Sequence, residues 1–302
     1  MTVTVGMRIP YYLFEQDARA LRAAVARVEA AGLDHLCMGD HVSFHGGQGF
    51  DGLLQAAALA SITSTLTIET AVYLLALRHP VPVARQVATV AQLAPGRFVF
   101  GVGLGGEDRH ELEVCGVDPT TRGRRLDECL TIVRALLAGD TVDFSGRIFQ
   151  VEQAKVLPTP PVRVPIVIGG RSAAAFRRTA RFGDGWLGLF VSADRYRESV
   201  FEVEKLAADE GRSGIDWYHG MHFWCGVGPS PDLLADTMES LYQTPFERFE
   251  RYAPYGTPDE IADYVRPYVD GGARHVNLAP VAATPEEAID AAAEVATLLR
   301  AR

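Results

Sequence analysis

Asp40 and His41 stand side by side directly after a short apolar run, and a histidine next to a carboxylate is a pair suited to moving a proton. His41 can protonate an atom of a substrate or cofactor while Asp40 orients the ring or holds its charge. The other reading is a loop capped by Asp40, with His41 merely hydrogen-bonded. The following Ser43-Phe44-His45-Gly46-Gly47 reads as a flexible aromatic loop able to close over a ligand, or as a plain surface turn. A second group runs Gly101-Val102-Gly103-Leu104-Gly105-Gly106-Glu107-Asp108-Arg109-His110. Its glycines let backbone approach a ligand closely and charged groups follow at once, unless the stretch is simply a glycine-rich turn. A third group, Gly169-Gly170-Arg171-Ser172, precedes a helical pattern, so free amides, the helix dipole and a guanidinium can converge on one phosphate. Its plainer reading makes Ser172 an N-cap and leaves Arg171 in solvent. Thr70-Ala71-Val72-Tyr73, residues 74–77 and Arg78-His79-Pro80 make an unusually apolar loop, expected to lie against something flat and apolar.

Other chemistries lack their residues. No H-x-H pair follows the early strands, and His219 and His222 are spaced so that a strand points their rings to opposite faces, so no metal site is expected. No G-x-S-x-G occurs, which leaves a serine hydrolase unsupported. Cys37, Cys115, Cys129 and Cys225 are scattered without a C-x-x-C pair and read as reduced, mostly buried structural thiols.

The elements that must position these groups alternate short apolar runs with longer amphipathic stretches, the pattern of repeated βα units. Strands are predicted over 3–9, 35–39, 66–70, 97–101, 164–169, 185–189, 218–227 and 275–278. Helices are predicted over 17–31, 52–62, 82–93, 126–137, 173–181, 195–210, 258–269 and 285–299. Eight βα pairs are most economically a (β/α)8 TIM barrel, whose reacting groups come from the loops after the strands. An open doubly wound sheet is the runner-up, weakened by the lack of G-x-G-x-x-G after the opening strand. The whole chain, 1–302, is read as one barrel domain with a hairpin insertion at 142–156, turning at Ser145-Gly146, and an irregular aromatic-rich insertion at 230–257. Asp184 is expected to fix a loop and Trp186 to be core.

The 302 residues are 48% hydrophobic and 22% charged, enough to bury a large core. Thirty-eight acidic against 29 basic residues give a net charge of −9, with no basic run to track a phosphate backbone, so nucleic acid is not an expected partner. No stretch reaches 18 uninterrupted apolar residues and Arg8 breaks the N-terminal run; a cytoplasmic protein without a membrane partner is expected.

Taken together, Gly39-Asp40-His41, Arg78-His79-Pro80, Ala94-Pro95-Gly96-Arg97 before Gly101-Val102-Gly103, residues 122–128, and Ile168-Gly169-Gly170 followed by Gly183-Asp184-Gly185-Trp186 carry a resemblance. Over nearly its whole length the chain resembles the bacterial luciferase-like superfamily of flavin- and deazaflavin (F420)-dependent oxidoreductases and monooxygenases. That resemblance implies a luciferase-like barrel with an insertion and a tricyclic cofactor at its C-terminal rim. The cofactor phosphate would lie near Gly169, Gly170, Arg171 and Ser172, with Gly103, Gly105, Gly106 and Glu107 also at the cofactor. A non-proline cis peptide joining Ala71 and Val72 would bulge beneath the middle ring. The match of Asp40-His41 favours coenzyme F420, with His41 as proton donor or acceptor near the reactive ring carbon and Asp40 beside it. FMN is the alternative, and with it a monooxygenase. Some relatives carry a catalytic glutamate directly after the strand-four glycines, whereas here Gly106 intervenes before Glu107. Sugar-phosphate-using relatives need a cationic pocket; Arg274-His275-Val276-Asn277 offers limited positive charge and the preceding region is rich in Phe and Tyr, so the substrate is expected to be a small apolar or aromatic molecule. A non-catalytic flavin-binding barrel is a third possibility. The resemblance also implies a homodimer through the helices flanking strands two and three, including 52–62.

Overall fold

Parallel strands buried on both faces read as continuous apolar runs, and such runs form the wall of this protein. The computed structural model describes residues 3–10 and 12–301. Its strands are β1 (Thr4–Arg8), β2 (His35–Met38), β3 (Thr67–Thr70), β4 (Phe98–Val102), β5 (Val142–Ser145), β6 (Gln150–Ala154), β7 (Ile166–Gly169), β8 (Gly185–Leu189), β9 (Gly220–Val227), β10 (Tyr255–Gly256) and β11 (His275–Val281). The parallel pairing β9-β11-β1-β2-β3-β4-β7-β8 closes by β8 pairing with β9, giving an eight-stranded barrel with β10 added along β9.

Side chains alternate across the wall. Phe98, Phe100 and Val102 point outward into the large core under the helices, whereas Val99 of β4, Val167 of β7 and Leu187 of β8 cluster with Ala71, Val72 and Tyr218 inside the barrel. The interior also holds polar groups: His35 Nε2 pairs with Asn277 Oδ1 at 2.6 Å, Thr4 Oγ1 with His275 Nδ1 at 2.6 Å, and Glu69 is 2% exposed. Outside, the helices begin where polar caps stand. Asp17 accepts from the amides of Arg19 and Ala20 ahead of Ala18–Ala30, which buries Leu21, Val25 and Val28, and Thr257 and Glu260 form a capping box for Pro258–Asp270.

The predicted strands and helices recur within a few residues, and β5 and β6 form the expected antiparallel hairpin. The segment 230–257 is more regular than its sequence implies. It contains the helix Asp232–Tyr242, two short 3-10 turns and β10, and Phe246, Leu234 and Met238 pack with Phe190 and Trp224 in a satellite core. The helix Arg109–Val114 was also unforeseen. Cys37, Cys129 and Cys225 are buried and Cys115 is half-buried, all as free thiols. Among the described residues, no helix is long and apolar enough to cross a membrane.

Candidate active site

A cavity of about 590 Å³ opens at the C-terminal ends of the barrel strands. Every expected site residue lines it: Asp40, His41, Ala71, Val72, Gly103, Gly105, Gly106, Glu107, Gly169, Gly170, Arg171 and Ser172.

His41 and Asp40 follow β2, but they do not act on each other. Asp40 is 1% exposed and turned into the protein, where Arg78 meets both of its oxygens at 2.6 and 2.9 Å and the amides of Leu74 and Gly52 donate at 2.8 Å each. Burial pushes the Asp40 carboxyl above its ordinary value, opposed by Arg78 and those amides. Arg78 also reaches Asp51 at 3.1 Å and lies over the Tyr73 ring. The expectation that Asp40 orients His41 is therefore corrected: its lone pairs are taken up in tying the β2 and β3 loops together.

The carboxylate that meets His41 is Glu111, in the helix Arg109–Val114, whose oxygens lie 3.2 and 3.3 Å from His41 Nδ1. Glu111 also accepts from the amides of Val42 at 2.7 Å and Ser43 at 3.2 Å. Burial raises its carboxyl, but the hydrogen bond and charge of His41 and the two amides outweigh burial and hold it below the ordinary value. Sequence reasoning missed Glu111; it stands in the first turn of this helix, and the signal available was the Asp108 cap that starts it. The loop after His41 is anchored at Phe44 and His45, while Gly46 and Gly47 are exposed. Phe44 is 1% exposed and stacks on His41 with ring centroids 3.9 Å apart, and Asp108 accepts from the His45 amide at 2.9 Å.

After β3, the peptide joining Ala71 and Val72 is cis, as the resemblance implied. The glycines beside it have a physical reason. A Cβ on Gly103 would lie 2.5 Å from Val72 Cγ2, and one on Gly169 would lie 3.1 Å from Val72 Cγ1. Those glycines make room for Val72 and also line the cavity. The apolar residues beyond the bulge mostly enter the core, where Tyr73, Leu75 and Ala76 are fully buried, and only Leu74 reaches the cavity.

Beyond β7, Ser172 caps the helix Ala173–Phe182 by accepting from the Ala175 amide. The remaining first-turn amides and the helix dipole favour an anion, and Gly170, Arg171 and Ser172 are exposed at the cavity rim. Arg171 donates to the Phe190 carbonyl at 3.3 Å, and Trp186 Nε1 donates to the Gly170 carbonyl at 2.7 Å, so the buried indole holds the turn in shape. Asp184 fixes the same region from below, joined to Arg134 at 2.9 Å and Arg163 at 2.6 Å. Glu107 stands exposed at the rim.

Residues 3–254 match the family model for luciferase-like monooxygenases. The chain belongs to that family. An uncharacterized protein of Mycobacterium tuberculosis is 35% identical over 157 residues, covering 52% of this luciferase-like chain and 54% of the relative, so the chain spans about half the length of that relative. An F420-dependent glucose-6-phosphate dehydrogenase of Amycolatopsis mediterranei is 28% identical over 291 residues, 85% of this chain and 87% of the relative. Among solved structures, an F420-dependent secondary alcohol dehydrogenase in complex with an F420-acetone adduct superposes with a TM-score of 0.83 at 21% identity, covering 98% of both chains. The similarity in structure shows the (β/α)8 barrel, and the family model makes it a luciferase-like one.

Proposed function

We propose that this protein is an F420-dependent oxidoreductase that transfers a hydride to or from a small apolar or aromatic organic molecule. One arrangement carries the reading: His41, the Ala71–Val72 bulge and the exposed turn Gly169–Gly170–Arg171–Ser172 line a single cavity at the barrel's C-terminal end. Similarity to an F420-dependent dehydrogenase over most of both chains supports F420 rather than FMN.

The residues present fit such a group. The helix N-terminus and Arg171 suit its phosphate, and the bulge offers an apolar face for a tricyclic ring. When bound, the deazaflavin supplies or accepts the hydride. The protein's own part is to hold the ends of the cofactor and to manage the proton. Glu111 takes the Nδ1 side of His41, which leaves Nε2 as the atom that gives or receives a proton in the cavity. The apolar residues Leu74, Leu187, Leu189 and Phe190 keep water from the reacting atoms. A homodimer through the helix Gly52–Ala60 belongs to the same reading, since Leu54 on that helix is 70% exposed.

Parallel titrations of the purified protein with F420 and with FMN, followed by fluorescence quenching, test the cofactor. Tight binding of F420 alone supports hydride transfer. Tight binding of FMN alone overturns it and directs the search to oxygen-consuming monooxygenation, and binding without turnover of any hydride acceptor marks a barrel that only binds its cofactor.

A further inference from the structure

His219 and His222 are three residues apart, and the barrel parts them. His219 stands ahead of β9, where its Nδ1 accepts from the Trp186 amide at 3.1 Å and its ring stacks on Trp217 with centroids 4.9 Å apart. Within β9, Met221, Phe223 and Cys225 turn outward to the main core, so His222 turns inward, level with Leu189 of β8 and Asn277 of β11. There it lines the cavity that also holds His41 and the bulge. In the closed strand order β9 stands opposite β3, so His222 lies across the barrel from the Ala71–Val72 bulge.

His222 is 7% exposed, and its Nδ1 is buried with no hydrogen-bond partner. Burial pushes its imidazolium down to about 3, with the charge of Arg8 adding to the shift, so the ring is neutral at neutral pH and carries one N–H. An orphaned buried N–H is rarer in folded proteins than an orphaned acceptor, which puts that proton on Nε2. Leu187, Leu189 and Phe190 make an apolar wall of the same cavity. A polar ring set in such a wall costs free energy unless a partner meets it, and the cavity is where that partner enters.

We propose that His222 is a specificity-determining residue that donates from Nε2 to an uncharged oxygen of the substrate, so that the substrate is an apolar or aromatic molecule bearing a carbonyl or ether oxygen away from its reacting carbon. This rests on the reading that places hydride transfer at the bulge and His41; the position of β9 across the barrel separates the two ends of the substrate. A neutral N–H supplies direction without charge, and an anion against Leu187, Leu189 and Phe190 would need a counter-charge that His222 does not carry. Arg8 enters only through its field: its guanidinium carbon lies 4.9 Å from the centroid of the Trp224 ring, and its charge disfavours a second cation on His222.

The test is a calorimetric titration of the purified protein, with and without oxidised F420, using acetophenone and ethylbenzene, which share a skeleton and differ in a carbonyl oxygen. No hydride donor is present, so only binding is read. Acetophenone is expected to bind about three- to tenfold more tightly than ethylbenzene, the contribution of one neutral hydrogen bond. His222→Leu should abolish that preference by weakening acetophenone, while ethylbenzene and F420 stay within about twofold. His222→Phe, which keeps a ring and loses the N–H, serves if His222→Leu does not fold. His222→Gln, which sets an amide N–H near the place of Nε2, should restore most of the preference, as a merely structural histidine would not. Equal affinity of the parent for the two probes, no acetophenone binding by protein that binds F420, a preference that survives loss of the imidazole, or weakened F420 binding in the variants overturns the assignment. Benzoate binding more tightly than acetophenone overturns the uncharged class. A preference governed by His222 in protein that fails to bind F420 supports the role of His222 and sinks the cofactor reading instead.

Discussion

Glu111 approaches His41 Nδ1 at 3.2 Å from a helix that begins some seventy residues further along the chain, and the same carboxylate accepts two amides of the loop that carries His41. The pair takes up the Nδ1 side of the His41 ring. Glu111→Gln keeps the shape and removes the charge. Turnover is expected to fall by about tenfold to a hundredfold, as for loss of an outer partner of a functional histidine, with F420 affinity unchanged. His41→Ala should cost more, about a hundredfold or beyond. The carboxyl of Glu111 titrates lower in the folded than in the unfolded chain, whose value is 4.5, so its contribution to stability is present above that value and is lost as pH falls through the folded one. Urea melts between pH 7 and pH 3 should therefore show a shallower acid loss for Glu111→Gln than for the parent. Equal acid slopes, with turnover intact, would remove Glu111 from the site.

Asp40 is the contrasting case. Its pairing with Arg78 is buried, and removing one partner leaves the other charge uncompensated. Asp40→Asn is expected to destabilise the protein by about 3–5 kcal/mol, measured by chemical denaturation. Below the melting temperature of the variant, F420 titration should match the parent. A stable Asn variant that has lost turnover would return Asp40 to a direct chemical role.

The contrast between these two carboxylates shows what a sequence can disclose. Barrel strands, their helices and the three polar stretches at strand ends are legible because period, caps and glycine placement are local properties, and Asp17, Ser172 and the Thr257–Glu260 box mark their helices in the chain itself. The partner of His41 was not legible. Asp40 is adjacent in sequence but is drawn inward by Arg78, whereas Glu111 arrives through a long-range closure of the barrel. Gly103 after β4 was legible as a glycine, yet one reason for it, the bulk of Val72, exists only once β3 and β4 pair. The helix Asp232–Tyr242 was hidden because its apolar residues pack on a satellite cluster shared with Phe190 and Trp224, not on the main core.

The turn Gly169–Ser172 gives a test that separates phosphate from ring. Arg171→Ala removes an exposed guanidinium at the rim and leaves the helix cap intact. It is expected to weaken F420 by about tenfold, roughly the loss of one charge-assisted contact, with no effect on a phosphate-free deazaflavin chromophore. Parallel fluorescence titrations of the two ligands check this. Equal weakening of both would show that Arg171 meets the ring system or shapes the turn, not the phosphate.

Glu69 lies inside the barrel two residues before the bulge, 2% exposed, and burial pushes its carboxyl up to about 7, with the Asn277 side chain opposing the shift in part. Between the unfolded value of 4.5 and the folded value the native state holds the extra proton, so stability is greatest below 4.5 and falls as pH rises towards 7. Replacing Glu69 with Gln removes the charge that must otherwise be buried or neutralised. The variant should be more stable than the parent at pH 8 by about 2–3 kcal/mol, and the difference should shrink towards zero at pH 4. Denaturant midpoints at the two pH values decide the matter. A Gln variant that is less stable at pH 8 would mean that the charged form has a favourable partner inside the barrel, and the slope of stability against pH between 5 and 7 would then run the other way.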